Sequence, residues 1–154
     1  MEKPIKNADE NIVDHVLRQA DEAVENLKAK GIIRAHGVSV HSLEAMEAAA
    51  ASPWVDVIHV RINPFGVAMD SKDPEKIIPV IKKLHASGKG VIGMKLIGNG
   101  NFRNDSDKID QSLRYVLGLG TIYMIIAGFE KPEQIDNYIS RVESALITLK
   151  ERKK

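Results

Sequence analysis

The sequence predicts an α/β protein in which four parallel strands alternate with helices. Short segments rich in β-branched residues alternate with longer segments whose apolar residues recur at helical spacing. The strand segments are apolar nearly throughout, which is typical of a parallel sheet with helices on both faces. The length of 154 residues, with 44% hydrophobic and 28% charged residues, fits one globular domain.

The first half of the chain contributes two helices and two strands. Apolar residues at helical spacing predict a helix over residues 11–30, and a strand is expected over residues 32–38. Residues 42–51 begin with a serine and become alanine-rich, which favours a second helix. A second strand is predicted over residues 55–62, and the Asn, Pro and Gly residues of segment 63–66 end it.

The second half continues the alternation. Asp73 is expected to cap a helix whose first turn contains a proline. A strand over residues 90–97, a helix over residues 105–117 and a strand over residues 121–127 follow. Pro132 opens the last helix, whose apolar residues again recur at helical spacing.

Composition limits the classes of function. The 22 Lys and Arg residues nearly balance 21 Asp and Glu residues, and a net charge of +1 disfavours nucleic-acid binding. The absence of cysteine removes disulfides and thiol chemistry, and no apolar segment approaches the ~20 residues of a membrane span. We therefore expect a cytoplasmic protein with no membrane partner, forming one domain over residues 1–154 with flexible ends at residues 1–8 and 150–154.

Two closures of the sheet are open at this point. The strands could form an open doubly wound sheet, or part of a (β/α)8 barrel, which as a whole needs ~250 residues. In both closures ligands bind beyond the carboxyl ends of the strands. Segments 39–42, 61–66, 95–102 and 128–134 therefore form the candidate site.

Lys95 and the glycines that follow it are the first candidates for binding. Lys95 lies in an otherwise apolar strand segment, so its amine could bind an anion, form a Schiff base, or simply reach solvent. Gly98, Asn99 and Gly100 end this segment, where backbone N–H groups could approach a phosphate, although a flexible loop explains them equally well. The start of the last helix also favours anions.

The histidines do not predict a metal site. His36, His41 and His59 lie near strand ends, but no HExxH motif or carboxylate cluster accompanies them. His59 and Arg61 are two residues apart on a strand and therefore share a face. Arg61 either lies at the open mouth of a barrel or pairs with a neighbouring acid.

Five segments together resemble the second half of the aldo/keto reductases. They are GIIRAHGVSVHS at residues 31–42, VDVIHVRINPFG at residues 55–66, GKGVIGMKLIGNG at residues 88–100, SLRYVL at residues 112–117 and IIAGFEKPEQIDN at residues 125–137. The similarity covers about residues 10–140. It implies the C-terminal half of a (β/α)8 TIM barrel: four parallel βα units, the fifth to eighth of the barrel, preceded by one helix.

The resemblance also implies a cofactor, because the family reduces carbonyls with hydride from NAD(P)H and binds it largely with this half. NADP and NAD both stay open, since Glu130 stands where NADP-using members often have a basic residue. Ser39 matches a position that contacts the nicotinamide amide, and His59 stands where the family usually has a glutamine. The cofactor-binding residues implied are Ser39, His59, Met94, Lys95, Ile97, Gly98, Asn99, Gly100, Phe129, Glu130, Gln134 and Asn137.

The same resemblance implies what this chain lacks. The family's catalytic Asp, Tyr, Lys and His come from the first half of the barrel, and no segment here matches those motifs, so we assign no catalytic residue and expect little reductase activity from this chain alone. The open edges of a half-barrel predict a homodimer or pairing with a complementary N-terminal half-barrel. The alternatives are a Schiff-base aldolase or lyase that uses Lys95, and a non-catalytic assembly or regulatory half-barrel.

Overall fold

A computed structural model describes residues 10–152, with side chains described from residue 19 onward. These residues divide after His36 into two compact units. The predicted flexible residues 1–8 and 153–154 lie outside the described residues. The single-domain assignment remains a prediction.

The first unit contains α1 (Glu10–Ala29) and the turn that ends it. Gly31 adopts the left-handed conformation, with φ +70°, its N–H donates to Lys28 O, and the N–H of Ile32 donates to Leu27 O. This pair of bonds is the glycine-terminated helix end known as a Schellman motif. The prediction of a strand over residues 32–38 is therefore wrong at its start: the chain is still turning at Ile32, which is 66% exposed.

The second unit contains all the strands of the described residues. Its elements are β1 (Gly37–Ser39), α2 (Leu43–Ala51), β2 (Val57–Arg61), α3 (Pro74–Ala86), β3 (Gly90–Met94), a 3-10 turn (Gly98–Gly100), α4 (Ser106–Gly118), β4 (Met124–Ile125) and α5 (Pro132–Glu151). The α/β class and the alternation of strands with helices are confirmed. α5 includes Lys150 and Glu151, two residues that the sequence assigned to a flexible end.

The strands are parallel and lie in the order β1-β2-β3-β4. In a doubly wound sheet the order in which strands are added reverses at a switch point, so that sequence neighbours are separated there. In a barrel each strand is added beside the previous one. The observed order is therefore that of part of a (β/α)8 barrel. Gly37 fits this close pairing because a Cβ there would lie 1.7 Å from the carbonyl oxygen of Val57.

One face of the sheet is completely buried along β2 and β3, and the other is partly open. Ile58 and Val60 on β2 and Val91 on β3 are completely buried and belong to the core with side chains of α2, α3 and α4. Residues of the opposite face, such as His59 and Arg61, are only half-buried. Because the carboxyl ends of the parallel strands meet at one edge, the loops after β1 to β4 also gather there.

Three helices begin where the sequence predicts. Ser42 Oγ accepts from Ala45 N–H, Asp73 from Glu75 N–H, and Asp105 from Lys108 N–H. Each interaction satisfies an N–H that the first turn of a helix leaves free. These caps fix where α2, α3 and α4 leave the loops.

The predicted third and fourth strands are longer than the observed ones. β3 ends at Met94 because Lys95 turns into the left-handed region, with φ +63°. β4 is reduced from the predicted residues 121–127 to a two-residue ladder opposite Ile92 and Gly93 of β3. Its other edge has no partner strand among residues 10–152, so nothing extends the pairing.

Candidate functional site

A groove lies at the carboxyl ends of β3 and β4, between the loop before α4 and the start of α5. Its volume is about 710 Å³, within the range of small-molecule and cofactor sites. Most of the residues that the sequence resemblance implied line it: Met94, Lys95, Ile97, Asn99, Gly100, Phe129, Glu130, Gln134 and Asn137. The structure therefore brings residues from two distant segments into one groove.

The first wall of the groove is a turn with unusual backbone geometry. Lys95, Gly98, Asn99 and Gly100 all have positive φ angles, between +58° and +87°. Lys95 is not a glycine, so this conformation costs it about 1–2 kcal/mol, whereas Asn99 adopts it more readily. Gly98 is buried behind the turn, where a Cβ would lie 2.9 Å from the ring of Phe102, and it does not line the groove.

The Lys95 side chain crosses this turn. Its Nζ donates to Asn99 Oδ1 at 2.7 Å, and no carboxylate of the described residues forms an ion pair with it. Arg103 lies on the same wall, with Nη1 donating to Gly100 O at 3.3 Å. Two basic groups thus stand beside the glycine turn, which suits an anionic ligand.

The second wall is the start of α5. The Gln134 side chain caps this helix, since its Oε1 accepts from the N–H groups of Glu130 at 2.7 Å and Lys131 at 3.1 Å. These two N–H groups are therefore already occupied. The Phe129 ring lies edge-on to the Tyr138 ring, with centroids 5.4 Å apart, and gives this wall an aromatic surface.

Arg141 fixes this wall to α4. It donates to Asp110 Oδ1 at 2.6 Å, to Ser106 Oγ at 2.9 Å and to Asn137 Oδ1 at 2.7 Å. Because an arginine only donates, the Asn137 oxygen is engaged and its NH₂ group is the part available to a ligand. Asn137 thus presents a hydrogen-bond donor to the groove.

Sequence reasoning missed Arg103 and Arg141 as groove residues. The spacing of Asn137 and Arg141, four residues apart on a predicted helix, was the available signal for one of them. Arg103 carries no such signal, because its approach depends on the turn geometry. Lys95 and Lys131 bring the basic side chains of the groove to four, but Arg141 is ion-paired with Asp110, so three remain against the two acidic side chains Glu130 and Glu133.

Ser39 and His59 lie elsewhere. They are register partners on β1 and β2, on the partly open face of the sheet, and they do not line the groove. The predicted contact of Ser39 with a nicotinamide amide therefore stays a prediction, as does the cofactor-binding role of His59.

Arg61 pairs with an acid, the second of the two readings that the sequence left open. Its Nη1 lies 3.5 Å from Asp70 Oδ1, and its Nη2 lies 3.5 Å from His41 Nε2. Burial raises the pKa of the Asp70 carboxyl, and the charge of Arg61 opposes this shift. The guanidinium is therefore partly neutralised at the mouth.

The groove tyrosine is poorly suited to proton transfer. Burial raises the pKa of Tyr138 to about 12, and its hydroxyl makes no hydrogen bond with the part of the chain that the structure describes. A general acid works best when its pKa is near the operating pH. Tyr138 is thus a packing residue for Phe129.

Two further kinds of site were sought in the described part of the chain. No group of three or more His, Asp or Glu side chains there is arranged to hold a metal ion. None of its helices has the length and hydropathy of a membrane span.

Comparison with known proteins identifies a family that the sequence matches and solved structures that share the fold. The model of the aldo/keto reductase family matches residues 7–114. Two solved structures, both described as candidate aldo-keto reductases of Pseudomonas aeruginosa, superpose with a TM-score of 0.61 and are 24% and 23% identical. Each alignment covers 80% of this chain but only 43% or 42% of the other, so the chain spans less than half their length. A comparison with curated proteins gave no match.

Proposed function

The chain belongs to the aldo/keto reductase family, and from this premise we propose that its groove binds a nicotinamide dinucleotide, NADP or NAD. The observation that carries the proposal is the groove itself, in which the glycine turn after β3 and the start of α5 face each other with an excess of basic side chains. When bound, the dinucleotide supplies or accepts the hydride of a carbonyl–alcohol conversion.

The groove residues fit such a ligand. A dinucleotide carries a doubly charged pyrophosphate, and Lys95 and Arg103 stand together beside the turn. The Phe129 ring, 40% exposed, offers a stacking surface to a purine, and the Asn137 NH₂ group offers a donor to its ring nitrogens. In this arrangement the chain's own residues bind and orient the ligand.

Glu130 bears on the choice between the two cofactors. Its carboxylate lines the groove near the end of β4. A carboxylate there opposes the extra phosphate of NADP and can accept from the ribose hydroxyl of NAD. The proposal therefore favours NAD if the adenosine end lies against Glu130.

We propose further that this chain alone does not reduce carbonyls. The proposal follows from the resemblance, since no segment matches the family's catalytic motifs, and the raised pKa of Tyr138 supports it. Without a general acid the developing alkoxide loses a contribution of about 10²–10⁴ in rate. The aldolase alternative lacks support, because the Lys95 ammonium has no acid–base partner among the described residues.

The half-barrel is proposed to be completed by other strands. Along the described residues, β1 and β4 each pair on one side only, and unpaired strand edges favour association. We propose a homodimer in which two copies cover each other's open face. Sedimentation equilibrium at micromolar concentration tests it: a dimer is expected, and a compact, cooperatively unfolding monomer contradicts it.

Cofactor binding is tested by titration with NADH and NADPH, followed by nucleotide fluorescence. The key variant is Lys95→Met, and Lys82→Met is its matched control, since Lys82 is exposed on α3 and does not line the groove. Loss of one charge-assisted contact should weaken binding about tenfold in the first variant and leave the second unchanged.

Salt dependence gives an independent criterion. Binding through Lys95 and Arg103 to a pyrophosphate should weaken as ionic strength rises, because salt screens exposed charges. Absence of saturable binding by both nucleotides would remove the proposal, and equal affinities for the two lysine variants would remove the role given to Lys95.

A further inference from the structure

Asn63 is a completely buried polar residue that the sequence analysis assigned only to a strand-ending loop. Its carboxamide is fully used. Nδ2 donates to Val67 O at 2.7 Å and to Lys95 O at 3.1 Å. Oδ1 accepts from the N–H groups of Phe65 at 3.0 Å and Val67 at 3.3 Å. One side chain therefore shapes its own loop and also reaches the residue that leaves β3.

The bond to Lys95 falls where the backbone is under strain. Lys95 is a non-glycine residue at φ +63°, a conformation that persists only when the surrounding structure holds it. Its carbonyl accepts two hydrogen bonds, from Asn63 Nδ2 and from Gly98 N–H at 2.9 Å. Asn63 is the long-range partner of the two, since it comes from the preceding βα unit.

Packing joins the same two loops. The Phe65 ring lies edge-on to the Phe102 ring, with centroids 5.0 Å apart, and Phe102 is 5% exposed. The space where Gly98 would carry a Cβ is taken by the Phe102 ring and by a Val67 methyl group. The 63–67 loop thus contacts the glycine turn on the side away from the groove.

We infer that Asn63 is a positioning residue for this groove. Through the 63–67 loop and the Lys95 carbonyl it sets where the Lys95 ammonium and the glycine turn stand. The inference rests on the proposed function in one respect: the ligand that reports on the position of Lys95 is the dinucleotide. Asn63 does not line the groove and acts on the ligand only through Lys95 and the turn.

A double-mutant cycle tests this role. Asn63→Asp keeps an oxygen that can accept from Phe65 and Val67 but removes the NH₂ group that donates to Lys95 O and to Val67 O. In the otherwise unchanged protein it should weaken NADH or NADPH binding about five- to tenfold, the effect of one lost hydrogen bond that holds a binding group. In the Lys95→Met background the same change should weaken binding by a clearly smaller factor, because the part of its effect that acts through the Lys95 ammonium is already lost.

A purely structural role predicts a different result, namely the same loss of affinity in both backgrounds. That outcome would overturn the inference. Asn63→Ser gives a second variant if the aspartate does not fold, since its hydroxyl can still accept from the loop N–H groups but cannot span to Lys95.

Hydrogen exchange separates this inference from the proposed function. Asn63→Ser should lower protection of the Gly98 N–H, bonded to Lys95 O, and of the Phe102 N–H, bonded to Ile97 O, while the β3 amide of Ile92 keeps its protection. Unchanged protection at both turn amides would overturn the positioning role even if the dinucleotide binds. If the unsubstituted protein binds neither nucleotide but the turn amides lose protection, the proposed function fails and the control of the turn by Asn63 stands.

Discussion

The middle of the sheet and its C-terminal edge are built from similar apolar sequence but are buried to very different extents. Ile58 and Val60 on the core face of β2 are completely buried, whereas Ile125 on the same face of β4 is only half-buried, and Met124 and Ile126 on the opposite face are 60% and 45% exposed. β2 pairs on both sides, while β4 has one partner strand in the part of the chain described. An apolar β-branched segment therefore predicts that a strand exists, and its neighbours decide how long and how buried it is.

The largest expected effect is the difference in lost stability between an isoleucine-to-alanine change in the middle of the sheet and the same change at its C-terminal edge. Ile58→Ala removes a completely buried side chain and should lower the free energy of unfolding by about 2–5 kcal/mol. Ile139→Ala on α5, where the residue is 51% exposed, should cost less than about 1 kcal/mol. Urea unfolding measures both. The measurement is made on the monomer, at a concentration below that at which sedimentation detects a dimer; equal losses there would contradict the exposure of Ile139.

Tyr138 is partly buried among the exposed apolar residues of α5. Because its pKa is raised to about 12 in the folded protein, against 10.0 as the reference, stability is full below pH 10 and falls as pH rises from 10 towards 12. The loss attributable to this residue should approach about 2–3 kcal/mol above pH 12.

Tyr138→Phe should abolish that alkaline loss and leave stability at pH 7 unchanged or slightly higher, since the hydroxyl has no hydrogen-bond partner among the described residues. Denaturant unfolding of both proteins at pH 7, 9, 10 and 11 measures this difference in stability. An identical pH profile in the two proteins would show that the phenol is not buried.

Lys89 lies directly before the start of β3. Its Nζ is buried and donates to Ser52 O at 2.6 Å and Val55 O at 2.8 Å, so it joins the end of α2 to the approach to β2. Lys89→Met leaves two carbonyls without their donor and should cost about 1–3 kcal/mol. Lys82→Met, at an exposed position, should cost almost nothing; a similar cost for both would contradict the structural role of Lys89.

The smallest effect is expected at the carboxyl end of the same strand. Lys95→Gly relieves a left-handed non-glycine residue, so stability should rise by up to about 1 kcal/mol while nucleotide affinity falls. Lys95→Met keeps the backbone strain and should lose affinity without gaining stability. Loss of stability in Lys95→Gly would show that the Lys95 side chain stabilises the turn by more than its left-handed backbone destabilises it.

The sequence predicted the alternation, the parallel class and most of the helix starts because those depend on local signals. Ser42, Asp73 and Asp105 each cap a helix where their residue type favours it. The strand ends were predicted less well. Nothing local shows that Lys95 leaves the ladder. Gly31 does mark the end of α1, but the turn that it begins carries the chain past Ile32 before β1 starts.

The groove was predicted only in part, because the segments that line it resemble a family while its long-range contacts leave no local signal. Of the five sequence segments that resemble the family, two reach the groove, from Lys95 to Gly100 and from Phe129 to Asn137. Asn63 could not be found, because its role depends on a loop folding back to a carbonyl on the neighbouring strand. Arg103 was missed because the left-handed turn before it brings its side chain to the groove, and the sequence does not show that turn.

The most direct test of the account is to map nucleotide binding residue by residue by NMR. On addition of NADH or NADPH to the ¹⁵N-labelled chain, the account predicts saturable shifts of the amides from Lys95 to Arg103 and from Phe129 to Asn137, with little change at Ile58 or Lys82. Shifts confined to the outer surface of α5, or no saturable shifts with either nucleotide, would contradict it.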